Sequence, residues 1–103
     1  MIGVHLNKLD WCFLSSNPNA ILLLTKNQNK INWYSLSNNQ NAIDILNENI
    51  NKISWPQLSS NPNAMLLLNK NKNKIEWNYL SLNPNAIELL KENKKKLIGI
   101  IYL

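Results

Sequence analysis

The sequence has no arginine, a single valine, two glycines, one histidine and one cysteine. Each scarcity excludes something. A lone Cys12 cannot form an internal disulfide, and a reducing, intracellular setting is the simpler expectation. Gly3 and Gly99 are too few and too far apart to build a glycine-rich phosphate loop. His5 and Cys12 have no second His or Cys and no spaced carboxylate pair beside them. That argues against a metal centre and against a Cys–His nucleophile. No catalytic residue, cofactor or small-molecule substrate is therefore expected. The longest apolar runs, AILLL and LIGIIYL, are too short to cross a bilayer. The start, MIGVHLNKLDW, lacks the charged-then-apolar order of a signal peptide. The expectation is a soluble protein with no membrane contact.

What is abundant is asparagine, with 21 residues, and lysine, with 11. Asn, Lys, Ile and Leu share A/T-rich codons, so the bias says more about the genome than about chemistry. Apolar residues make up 45% of the chain, enough for a folded core. The net charge of +5 is a mild lean towards acidic partners, well short of a dedicated nucleic-acid arm.

The strongest signal is repetition. Trp11, Trp33, Trp55 and Trp77 stand 22 residues apart, and the rest of the sequence keeps the same phase. Four units follow one another without insertion at residues 7–28, 29–50, 51–72 and 73–94, between degenerate half-repeats at 1–6 and 95–103. A fixed period in this range implies units that bury their apolar faces against their neighbours.

Within a unit, Ala42, Ile45 and Leu46 show the spacing of one helix face, with Ile43 beside it. Asn17, Asn39, Asn61 and Asn83 precede these faces, and Pro18, Pro62 and Pro84 follow three of them. Asn is a favoured N-cap and Pro a favoured first helical residue, so each Asn-Pro-Asn-Ala reads as a helix start. The helix then runs to about Lys26, Glu48, Lys70 and Glu92 and ends at an Asn-rich joint, where Asn tolerates the left-handed conformation. The first half of the unit reads as a shorter helix, Trp33 to Ser37 for example, partly 3₁₀. Asp10, Asn32 and Ser54 are its N-caps, with Glu76 a weaker one. Ile31 and Leu36 can form a hydrophobic staple around the cap, and Pro56 suits a first turn. The rival is a leucine-rich repeat. Its strand needs an apolar residue at the place held here by Cys12, Tyr34, Pro56 and Asn78, and that pattern fails. The predicted fold is all-α: an α-solenoid of about four two-helix units, each a short helix, a turn and a longer helix.

The tandem pattern W-x-x-L-S-x-N-P-N-A-I-x-L-L, over about residues 7–94, resembles repeat proteins of giant DNA viruses that infect protists. The resemblance implies a viral origin and a repeat scaffold, located in host cytoplasm or particle, and supplies no catalytic residues. Gln40 departs from it where the pattern has Pro.

The repeated places carry the candidate sites. Trp11, Trp33, Trp55 and Trp77 are expected to form an internal ladder; the competing reading is an exposed aromatic row that stacks bases or sugars. Asn17, Asn39, Asn61 and Asn83, with Asn19, Asn41, Asn63 and Asn85, are read as caps whose side chains also bond from unit to unit; an ice- or glycan-binding array competes. Lys8, Lys30, Lys52, Lys74 and Lys96 share one phase and line up along an edge that Lys94 and Lys95 thicken, a place for weak polyanion or nucleic-acid binding. Leu22 and Leu66 alternate with Asp44 and Glu88 on an outer face and are candidates for a partner surface. Lys26, Glu48, Lys70 and Glu92 alternate in charge and are expected to pair between neighbouring units. Leu97 to Leu103 is expected to cover the last groove or to contact a second copy. Functionally, the sequence points to a non-catalytic scaffold for protein interaction or self-association. A structural virus-particle component and a weak polyanion binder are the alternatives.

Overall fold

The structure, a computed structural model, describes residues 9–93. His5, Lys8, Lys94, Lys95, Lys96 and the predicted terminal cover Leu97 to Leu103 lie outside the described residues. All regular structure is helical, and no strand occurs among the described residues. The Trp-led helices are α1 (Trp11–Ser16), α3 (Trp33–Ser37), α5 (Trp55–Ser59) and α7 (Trp77–Leu80). They alternate with α2 (Ile21–Lys26), α4 (Ile43–Asn47), α6 (Met65–Lys70) and α8, residues 87–93. A 3₁₀ turn follows each of the first three of these: Gln28–Lys30, Ile50–Lys52 and Lys72–Lys74.

Local chemistry sets the helix starts. Asp10 accepts a bond from the Phe13 N–H at 3.1 Å, and Asn32 accepts one from the Ser35 N–H at 3.0 Å. These are the side-chain caps that the sequence predicts. Ser54 and Glu76 occupy the same place without a side-chain cap bond. The Ser54 hydroxyl donates to the Gln57 side-chain oxygen instead.

The second helices are shorter than the sequence suggests, because Asn-Pro-Asn is not their first turn. In each unit these residues form a separate β-turn, closed by Ala20 N–H to Asn17 O at 3.0 Å and by its equivalents at Ala42, Ala64 and Ala86. Asn before Pro is a favoured opening for such a turn, so the same residue types serve either structure. The helices begin one residue after Ala20, Ala42 and Ala64, which act as N-caps with no side-chain bond. Ala42 and Ala64 are fully buried, so no larger cap side chain fits there. The Asn columns therefore do not cap these helices.

The helix ends differ from expectation as well. Asn27, Asn49 and Asn71 have φ near −134°, at −135°, −134° and −133°, and are not left-handed. Each turns its side-chain amide back onto the carbonyl four residues earlier: Leu23, Ile45 and Leu67, at 2.9, 2.7 and 2.8 Å. That bond satisfies an orphan helix carbonyl, and the chain passes into the 3₁₀ turn.

The core is one apolar cluster drawn from every unit. Leu24, Leu36, Leu46, Leu58, Leu68 and Leu80 are fully buried, joined by Ile31, Ile53 and Ile75 from the extended residues before the caps. Fully burying one such side chain contributes about 1.5–3 kcal/mol. Helix α1 packs on α3, α3 on α5 and α5 on α7.

Candidate functional site

The chemistry between units is carried by three columns of side chains. Asn39 Nδ2 donates to the carbonyls of Ser15 and Asn17, both at 3.0 Å. Asn61 does the same to Ser37 and Asn39 at 3.0 and 3.1 Å, and Asn83 to Ser59 and Asn61 at 3.0 and 2.9 Å. Each Oδ1 meanwhile accepts the N–H two residues on, at Asn41, Asn63 and Asn85, and so shapes its own turn. These three Asn side chains are at most 2% exposed, and all their polar atoms are partnered. Burying an amide is favourable only when it is fully satisfied, which this geometry achieves.

A second, exposed column runs beside it. Asn41, Asn63 and Asn85 donate through Nδ2 to the carbonyls of Pro18, Gln40 and Pro62 at 2.9, 2.8 and 2.7 Å. Gln40 fills the Pro place without changing the bond, since only the backbone carbonyl is used. The expected unit-to-unit asparagine bonds are thus present in both columns.

The third column is serine, which sequence reasoning missed. The hydroxyls of Ser15, Ser37 and Ser59 accept the N–H of Asn32, Ser54 and Glu76 at 2.9, 2.9 and 3.0 Å. Ser37 and Ser59 also donate to the carbonyls of Trp33 and Trp55, both at 2.7 Å. The signal was present as the Leu-Ser pair in all four units.

The tryptophans are half-buried and pack on the core from its edge; Leu, Ile and Ala hold the interior places. Lysines stand over three of the four rings. Lys30, Lys52 and Lys74 place Nζ over the rings of Trp11, Trp33 and Trp55, at 6.0, 5.1 and 5.7 Å from the centroids. Each lysine belongs to the unit after its Trp. A cation over an indole face contributes about 0.5–1 kcal/mol at such a site.

The outer face is apolar in places. Leu22 and Leu66 are 71% and 78% exposed, with Asp44 and Glu88 exposed between and beyond them. Beside Leu66, a shallow groove of about 160 Å³ is lined by Ile43, Asp44, Asn47, Leu66, Leu67 and Lys70. Phe13, Tyr34 and Leu82 are also well exposed.

The predicted charge pairing between neighbouring units is not formed. Among the described residues Glu92 pairs with Lys72 at 3.4 Å, not with Lys70, and Glu88 pairs with Lys91 of its own helix at 3.7 Å. Exposed charges on long side chains are held only weakly to any one partner, and Lys72 lies within reach of Glu92. Cys12 is exposed, with Sγ 3.2 Å from Ser35 Oγ. Among the described residues no three His, Cys, Asp or Glu side chains gather, and no helix is long and apolar enough to cross a membrane. No protein-family model, curated protein or solved structure matches this chain.

Proposed function

We propose that the chain is an α-solenoid of four two-helix units that works as a non-catalytic scaffold for protein–protein interaction or assembly. The observation that carries this reading is the ladder. Asn39, Asn61 and Asn83 each reach back 22 and 24 residues to the same pair of carbonyls. An identical junction used three times supports a one-dimensional array with nearest-neighbour contacts. The shape supports it too: the radius of gyration is 16.3 Å, against about 13 Å for a globular chain of about 100 residues. The ladder places are constant, whereas exposed places such as Leu22, Asp44, Leu66 and Glu88 vary from unit to unit. A constant frame with a varied surface suits recognition.

The test is affinity purification from expressing cells with the wild type and a Leu22→Glu/Leu66→Glu variant. The expected result is a protein retained by the wild type and lost by a variant whose circular dichroism is unchanged. Recovery of the same proteins by both, or of none by either, overturns the assignment of that face.

The resemblance to viral repeat proteins supports a viral setting, in which a particle component is the natural form of an assembly role. Mass spectrometry of purified particles tests it. A second reading, polyanion binding, rests on the matching places of Lys30, Lys52 and Lys74.

A further inference from the structure

We infer that the outer face of the second helices binds a second copy of this chain, turned end for end, with the groove between α4 and α6 at the centre of the contact. This rests on the protein-interaction reading proposed above and names its partner.

The charges on this face alternate by unit and are left largely unused within the chain. Lys26, Glu48, Lys70 and Glu92 hold the same place in successive units, so α2, α4, α6 and α8 carry basic, acidic, basic and acidic charge in turn. All four residues are exposed, as is Asp44 one turn before Glu48, which doubles the acid on α4. Among the described residues Lys26, Asp44, Glu48 and Lys70 form no ion pair; the pairs found there are Lys72 with Glu92 and Lys91 with Glu88. Between these charges lies the groove. Half-buried Ile43 and buried Leu67 line it, with Asp44 on the α4 side and Lys70 and the 78% exposed Leu66 on the α6 side. It belongs to the two middle units, so neither end of the described residues forms any part of it.

The order of the charges selects the partner and its orientation. A row that reads basic, acidic, basic, acidic is its own complement when reversed. Turning a second copy about a twofold axis along the groove sets its α6 on α4 and its α4 on α6. Lys70 of each copy then meets Glu48 of the other, with Asp44 one turn away, and Lys26 falls opposite Glu92. The two grooves face each other, and both Leu66 side chains leave water in the space between them. The unreversed arrangement sets each helix on its own copy and opposes like charges at every place, which disfavours it. The same patch serves both copies, so the contact is isologous and closes at a dimer. Exposed ion pairs hold little by themselves, so the charges choose the orientation while the apolar groove supplies the adhesion, and the dimer is a weak one.

The test exchanges charges on the full chain. In sedimentation and light scattering, the wild type should pass from monomer to dimer, and no further, as concentration rises. Glu48→Lys makes that place basic on both α4 and α6, and Lys70→Glu makes it acidic on both. Each variant alone should dimerise about tenfold or more weakly, because like charges then oppose each other twice. An equimolar mixture of the two should recover the dimer, since each is the complement of the other, and so should the double variant Glu48→Lys/Lys70→Glu. A wild type that stays monomeric at every soluble concentration, or that grows past a dimer, overturns the inference. So does a single variant that dimerises like the wild type, or a mixture no heavier than its parts. The broader reading is judged separately. An elongated Lys70→Glu monomer in small-angle scattering keeps the repeat array, and another protein retained in the affinity purification keeps the interaction role, whatever the mixing shows.

Discussion

Asn61 Nδ2 stands 3.1 Å from the carbonyl oxygen of Asn39, the residue that fills the same place one unit earlier. With its bonds to Ser37 O and from the Asn63 N–H, this one side chain holds its own turn and the turn before it. Asn61→Ala would remove three bonds and leave buried carbonyls unsatisfied, a loss of about 2–4 kcal/mol. Asn61→Asp keeps the shape but turns an oxygen towards two carbonyls, and should destabilise more than alanine does. Urea unfolding followed by circular dichroism measures both. If Asp is tolerated better than Ala, the amide donor is not what joins the units.

Much of this was legible in the sequence, and the illegible part has a physical cause. The Trp spacing and the faces of Ala42, Ile45 and Leu46 announce repeated short helices, because burial acts on any side chain of the right size and phase. The role of Asn39 is harder to read. A helix cap and a turn-opening residue use the same side-chain oxygen on nearly the same N–H groups. Only the direction of Nδ2, which depends on the preceding unit, separates them. Ser37 is harder still, since its donor, the Ser54 N–H, lies 17 residues ahead. The pairing of Lys26, Glu48, Lys70 and Glu92 was read from spacing alone, and spacing decides little for charges that water screens.

The serine column predicts a difference between two places with the same residue. Ser59 accepts the Glu76 N–H at 3.0 Å and is fully buried, whereas Ser81 is exposed. Ser59→Ala should cost about 1 kcal/mol or more, from two lost bonds, to the Trp55 carbonyl and from the Glu76 N–H, the second leaving that N–H short of a partner. Ser81→Ala should stay within about 0.5 kcal/mol. Equal effects in chemical denaturation would mean that the Ser81 face is occupied as fully as an internal junction.

Two separable roles are proposed for the lysine edge. Lys52 Nζ sits 5.1 Å from the Trp33 ring centroid, the shortest of the three such distances. Lys52→Met keeps the aliphatic stem and removes the charge, and should lower stability by about 0.5–1 kcal/mol if the cation–indole attraction counts. No change would leave only packing by the stem. The polyanion reading is checked by retention of the wild type on random DNA across a salt series. Affinity that falls steeply with salt and vanishes in a Lys30→Gln/Lys52→Gln/Lys74→Gln variant supports it; no retention at low salt removes it.

Leu66 and Leu68 stand two residues apart in α6 and should behave oppositely. Leu68 is fully buried in the core, so Leu68→Ala would open a cavity and cost about 2–5 kcal/mol. Leu66 is 78% exposed and borders the groove next to Ile43. Leu66→Ala should change stability by less than about 0.5 kcal/mol. A buried side chain that supports the fold and an exposed one thus stand two places apart on a single short helix. A loss above about 1 kcal/mol for Leu66→Ala would show that the chain already uses that face for its own packing, and the proposal of a partner surface there would fall.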